Sequence, residues 1–170
     1  MCIVIDINTF ASVFNPISQK HNQFKPVLEW IVCGNGKIVY GGAKYKNELK
    51  KVTKYHRILR LLKDVSKVIE INEQSVNITQ ERVADCLSHP DFNDQHIIAI
   101  IIESGCKLIC SEDKKAHPFF KQKDLYPKHI DCPKIYSNSS HTKLLCDKNI
   151  ADICKPCIKL PKNVIQNIMI

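Results

Sequence analysis

The sequence predicts an α/β domain built on a largely parallel sheet. Short β-branched apolar runs alternate along the chain with longer segments of helical periodicity, the pattern of strands joined by crossover helices. Several of the runs, "CIVID" and "CKLIC" among them, are apolar without alternation, as buried strands are. At 170 residues, 44% of them hydrophobic, the chain is long enough to bury one proper core.

The elements follow in order. "CIVID" (Cys2 to Asp6) is a buried strand that stops at an acid. "PVLEWIVCGNG" opens on Pro26 and closes on Gly34, the punctuation of a helix, and "KIVY" is the next strand. From Ala43 to Leu62, apolar residues recur at steps of three or four (Leu49, Val52, Tyr55, Ile58, Leu59, Leu62), which predicts one long amphipathic helix. "KVIEI" alternates like a strand, and Asn77 with Gln80 reads as a capping box opening a helix through Leu87. "HPDFND" is a turn. "DQHIIAIIIESG" is a helix apolar almost all round, closed by Gly105. "CKLIC" and "PKIY" complete the strands. Beyond His141 the pattern weakens: "HTKLLCDKNIADIC" has helical character, and the stretch from Lys155 to Ile170 reads as an appendage.

The bulk properties narrow the function. The longest uninterrupted apolar run, "IIAIII", is far short of a membrane span. The first residues carry no basic leader, and Asp6 interrupts what would be the apolar core of a signal peptide, so a cytoplasmic protein is expected. Nine cysteines, an odd number, favour reduced thiols there, with Cys2, Cys86, Cys106 and Cys110 read as small core residues. A net charge of +8 suits an anionic partner such as nucleic acid, and equally a membrane surface or simple solubility.

In open parallel sheets, ligands bind beyond the carboxyl ends of the strands. Two acids stand there: Asp6 ends the first strand, and Asp113 follows "LICS". Glu48, near the start of the long helix, and Asp94, opening the apolar one, are placed to converge on them. Taken alone, Asp94 is equally a helix cap, worth about 0.3–1 kcal/mol, and Glu48 is a solvated residue among lysines. Asp6 is harder to set aside, because an acid directly after four apolar residues is costly to bury unless a cation neutralises it. Gathered carboxylates repel one another, and a divalent ion reverses that penalty. Oxygen-only ligation favours Mg²⁺ or Mn²⁺ over Zn²⁺.

Four segments, "IVIDINTF", "KYKNEL", "NDQHIIAI" and "LICSEDKKAHPF", resemble in order and spacing the signature segments of PIN-domain nucleases. The resemblance runs from about Met1 to Tyr136. It implies a PIN-like three-layer α/β/α sandwich around a mostly parallel sheet, with a nuclease domain over 1–145 and an appendage over 146–170. It also implies endoribonuclease activity dependent on Mg²⁺ or Mn²⁺. The family's four acids fall on Asp6, Glu48, Asp94 and Asp113, and its supporting polar residues on Asn8 and Ser111. Ile7 stands where the family usually has Ser or Thr, with Thr9 displaced, and "KKAHPFF" replaces the usual residues after the last acid. On this reading Asp6, Asp94 and Asp113 hold one ion, and Glu48 joins at a second or positions water, while Glu112 points away.

Lys44, Lys51, Arg57, Lys114 and Lys115, with Lys46, Lys50, Lys54 and Arg60, would neutralise the RNA backbone. Tyr45, Tyr55 and Phe120 are candidates to stack bases, Tyr55 being equally on the apolar stripe. RNA is the expected substrate, with an antitoxin protein or a second copy of the chain as implied partners. The alternatives are a catalytically silent PIN-like scaffold for RNA or protein, and a structure-specific DNA nuclease. In the cysteine-rich end, "CKPC" (Cys154 and Cys157) is half of a zinc site or a redox dithiol, with Cys132, Cys146, His129 and His141 nearby. Packed reduced thiols are the simpler reading. His96 reads as a core or rim histidine, and His117 as within reach of a phosphate.

Overall fold

The computed structural model describes residues 2–169. Five strands, β1 (Cys2–Ile5), β2 (Lys37–Gly41), β3 (Val68–Ile71), β4 (Leu108–Cys110) and β5 (Lys134–Tyr136), form one sheet in the order β3-β2-β1-β4-β5, every neighbouring pair parallel. The helices are α1 (Phe10–Phe14), α2 (His21–Val32), α3 (Ala43–Lys51), α4 (His56–Asp64), α5 (Glu73–Cys86), α6 (Gln95–Ser104), α7 (His117–Phe120) and α8 (Lys162–Met169). The crossovers of parallel strands are right-handed, which puts α1, α2 and α4 over one face and α5 and α6 over the other. The expected three-layer α/β/α sandwich results.

The central strands are buried because both faces are covered: all four residues of β1 and all three of β4 are out of solvent. Against β1, β2 and β3 lies α6, whose Ile97 to Ile101 are all buried and which ends at Gly105 in the left-handed region (φ 63°). At the β3 edge the burial lapses. Glu70 there pairs with Lys46 (2.6 Å) and Lys63 (2.9 Å), charges that suit an exposed sheet edge.

Five expectations need correction. α2 starts at His21, so Pro26 sits inside it. The carbonyl deprived of a partner by the proline is that of Asn22, an exposed residue, so water can satisfy it, while burial of Phe24, Val27, Leu28 and Ile31 holds the helix together. The long helix from Ala43 is broken at Val52 and resumes at His56 after a 3-10 turn (Thr53–Tyr55). The break turns Tyr55 onto Phe10 and Phe14 (ring centroids 5.9 and 6.1 Å apart), and the His56 ring meets the Leu49 carbonyl at 2.8 Å.

α5 opens earlier than its supposed capping box. Its cap is Asn72, which accepts from the Ser75 amide (3.0 Å), and Asn77 caps a different helix, accepting from Ala43 at the start of α3 (2.9 Å). Cys86 is exposed rather than core. The region read as helical after His141 is a series of 3-10 turns (Ser139–Leu144, Asp147–Asn149, Asp152–Cys154), and α8 folds back against α4 with Ile168 buried. Among the described residues no helix is long and apolar enough to cross a membrane.

Candidate active site

The strand order reverses between β1 and β4: the chain moves outward from β1 to β3, then returns to the other side of β1. That crevice, beyond the carboxyl ends of the strands, is where doubly wound sheets bind ligands. Asp6 follows β1 there, and Ser111 to Asp113 follow β4.

Asp6 is 2% exposed. Its carboxylate accepts the Asn8 amide (3.0 Å) and the Ser111 hydroxyl (2.9 Å), and its own amide donates to the Cys110 carbonyl (2.9 Å). Burial pushes its pKa up, and those two hydrogen bonds hold it back only in part. Ser111 is fully buried, and its hydroxyl oxygen also accepts the Asp113 amide (3.2 Å), so one side chain ties both acids across the seam. Asn8 serves through its backbone, its side chain being exposed.

Asp94 is the cap residue of α6, yet its side chain makes no capping hydrogen bond. That leaves the helix dipole, and no capping hydrogen bond, to favour a charge at this position. It is 9% exposed, and burial, followed by the charge of Asp6, raises its pKa to about 6. Glu48 projects from α3, whose direction is set by the turn at Gly42. There φ is 78° and a Cβ would meet Val76 Cγ1 at 2.6 Å, so only glycine fits without strain. Burial works against the charge of Glu48, but His96, then Lys44 and Lys51, outweigh it and lower its pKa.

His96 is a residue whose role the sequence did not disclose. It is fully buried in the first turn of α6, with Nε2 3.3 Å from Glu48 Oε2, close enough for an ion pair when protonated. Neither ring nitrogen is aligned for a hydrogen bond. Tyr45, a candidate to stack bases, has a structural place instead: its hydroxyl donates to the Ile5 carbonyl (2.6 Å), pinning α3 to the end of β1.

Glu112 turns out of the crevice, accepting from Ser12 (3.0 Å) and pairing with Lys20. Its amide donates to Thr9 Oγ1 (3.2 Å), a second tie between the β1 and β4 loops. Asp113 accepts the Lys115 amide (2.9 Å). His117 lies with Nε2 3.1 Å from the Ser111 carbonyl, which fixes the loop rather than reaching outward.

The donor chemistry fits a hard divalent cation: oxygen ligands, two of them driven toward protonation by burial, Asp94 also by the charge of Asp6. As placed, no three Asp, Glu, His or Cys side chains among the described residues converge on a point that one ion could share. Asp6, Glu48 and Asp113 are each turned to a local partner. The acids gather at one edge without forming a finished cage.

Lys44 and Lys51 act electrostatically on Glu48, and Lys114 and Lys115 are exposed just after Asp113. Lys46 is held by Glu70 and Glu73. Arg57 lines a separate groove of about 670 Å³ between α2 and α4, with Lys25, Lys54 and Phe14, which contains none of the four acids. Tyr45, Tyr55 and Phe120 are buried, so none is available to stack a base.

Fold and site together define an α/β sandwich with an acidic crevice at its topological switch point. Comparison with family models, with curated proteins and with solved structures returns no match for this chain.

Proposed function

We propose that this chain is a divalent-metal-dependent endoribonuclease that hydrolyses RNA phosphodiester bonds at the crevice between β1 and β4. The observation that carries the reading is Asp94: a buried carboxylate at a helix start whose side chain makes no capping hydrogen bond, raised to about 6 by burial first and then by the charge of Asp6. A buried acid beside the charge of Asp6 is relieved either by taking up a proton or by a hard cation, and at neutral pH the cation is the relief that leaves it charged. Asp6, Asp94 and Asp113 would hold the ion, with Glu48 at its margin.

Mg²⁺ or Mn²⁺, when bound, supplies a water of lowered pKa and a counter-charge for the leaving oxygen. The chain's own residues do the rest. Ser111 and the Asn8 amide fix the Asp6 carboxylate, and His96 steadies Glu48 where it would orient the attacking water. Lys44, Lys51, Lys114 and Lys115 neutralise the approaching backbone, each phosphate contact steepening the salt dependence.

A second reading is a catalytically silent domain that binds RNA or protein. It is favoured by the absence, among the described residues, of three liganding groups placed to share an ion. One experiment separates the two: cleavage of total RNA in Mn²⁺ by the wild type, Asp6→Asn and Asp113→Asn. The nuclease reading expects cleavage by the wild type alone, and cleavage of equal rate in all three would end it. RNA retention on a filter without cleavage would support the scaffold.

A further inference from the structure

The groove between α2 and α4 is a second candidate site. Its volume of about 670 Å³ is that of a pocket for a small organic molecule. The lining is sorted by depth. Phe14, Leu28 and Ile168 are buried and Ile58 and Leu61 half-buried, so the interior is apolar, whereas Lys25, Lys54 and Arg57 stand exposed. Three asparagines, Asn15, Asn22 and Asn167, add side-chain amides, and among the described residues no Asp or Glu lines the groove.

Two features distinguish it from an ordinary surface furrow. Tyr55 lines it, is 5% exposed, and its hydroxyl has no hydrogen-bond partner among the described residues. A buried phenol left in that state carries a desolvation cost that an arriving polar group relieves. The cations are also uncompensated. Lys25 pairs with Glu29 (3.2 Å), but among the described residues Arg57 has no carboxylate within ion-pair distance. Lys54 Nζ rests over the Tyr55 ring, 4.9 Å from its centroid, with no acid either. Two unpaired cations on one opening repel each other, and an anion reverses that. His21, the remaining titratable group of the lining, is turned to the Ser12 carbonyl (Nδ1 at 3.1 Å).

We infer that this groove binds a free nucleoside monophosphate. The phosphate lies between Arg57 and Lys54: the guanidinium donates two parallel hydrogen bonds to its oxygens, and the ammonium leaves the Tyr55 ring for the stronger charge. The base enters the apolar interior. Its edge carries donors and acceptors together, which the asparagine amides and the Tyr55 hydroxyl match. An alkyl chain has no use for those groups, and this sets a nucleotide apart from a fatty acid or another amphiphile of the same charge. The groove shares no residue with the acidic crevice and is independent of the reaction proposed there.

The test is an NMR titration of the full chain in the presence of a chelator, with AMP, GMP, CMP and UMP as probes in turn. At least one should move the backbone amide signals of His21 to Leu28 and of Lys54 to Leu61 and reach saturation, with a Kd below about 1 mM. The matching nucleoside and inorganic phosphate, each holding half of the chemistry, should bind at least about tenfold more weakly. Arg57→Gln should weaken the nucleotide roughly tenfold and Tyr55→Phe about threefold or more. Tyr55→Phe should not lower the melting temperature of the free chain, because the hydroxyl it removes is unpaired. No saturation with any of the four, equal binding of inorganic phosphate, unchanged affinity in either variant, or shifts confined to the acidic crevice overturns the inference. A short RNA that moves the same signals at lower concentration than any mononucleotide makes the groove a strand site, and signals that move with protein concentration alone make it a contact between copies. Either result overturns it as well.

Discussion

Ser111 donates its hydroxyl to Asp6 Oδ2 at 2.9 Å across the β1–β4 seam while its oxygen accepts the Asp113 amide at 3.2 Å. A single buried hydroxyl thus sets the position of two acids that lie more than a hundred residues apart. Ser111→Ala leaves a buried carboxylate oxygen without its donor, which costs on the order of 1–3 kcal/mol. Chemical denaturation at neutral pH should show that loss, and metal-dependent cleavage should fall with it. A variant of unchanged stability and activity would mean that Asp6 is held by the Asn8 amide alone.

Asp94 makes a prediction with a definite sign. Its pKa is about 6 in the folded chain against an ordinary 3.8, so the folded state holds this proton more tightly than the unfolded one. Between those two pH values the folded chain binds more protons, and its stability falls as pH rises. Asp94→Asn removes the penalty. With a chelator present, the variant should be more stable than the wild type at neutral pH, on the order of 1–3 kcal/mol. The gain should vanish as pH drops below 3.8. Mn²⁺ should close or reverse the gap at neutral pH by stabilising only the wild type, about 2.7 kcal/mol at a hundredfold excess over Kd. Parallel thermal melts across pH, with and without the ion, read both effects.

Gly42 aims α3, and through it Glu48, at the crevice. Gly42→Ala combines a positive-φ extended backbone (φ 78°, ψ 153°), open essentially to glycine alone and costing any other residue about 1–3 kcal/mol, with a contact of 2.6 Å to Val76 Cγ1. A total loss on the order of 2–4 kcal/mol is expected. Val76→Ala in the same chain should recover the steric part and leave the backbone part. A double-mutant cycle by denaturation measures the split, and strict additivity would show that the two side chains do not meet.

These relationships mark the boundary between what the sequence discloses and what it conceals. The five strands are legible because uninterrupted apolar runs such as "CIVI" and "LIC" admit few other readings, and parallel strands sheathed on both faces are what they become. Asp6 is legible for the same reason, an acid directly after such a run. The break at Val52 is not, because Leu49, Ile58 and Leu62 keep helical spacing straight through it. Only the packing of Tyr55 on Phe10 and Phe14 requires the chain to turn. Asn77 misleads similarly. Its caps-and-spacing pattern is genuine, but its acceptor oxygen serves α3, 34 positions away. His96 against Glu48 is concealed because neither residue has a local signature, and their meeting depends on the angle between α3 and α6. Local chemistry survives in the sequence, whereas pairings made by tertiary geometry do not.

The neighbouring acids Glu112 and Asp113 provide the sharpest check on which carboxylate belongs to the site. Successive residues of an extended loop point to opposite sides, and here Glu112 goes to Ser12 and Lys20 while Asp113 stays beside the seam with the Lys115 amide. The Lys20 partner is well exposed, so its ion pair is worth at most about 1 kcal/mol. Glu112→Gln should therefore change stability by less than that and leave metal-dependent cleavage within about twofold, well under the 1.4 kcal/mol that a tenfold change represents. Asp113→Asn is nearly isosteric and keeps an oxygen for the Lys115 amide, so its fold should survive while cleavage is lost by at least about two orders of magnitude, the scale of removing one group that stabilises transition-state charge. Initial rates on a short fluorogenic RNA, with each variant's melting curve beside them, measure both. If the Gln variant were the inactive one, the loop would have to be read one residue out of register, and the carboxylate paired with Lys20 would be the one facing the substrate.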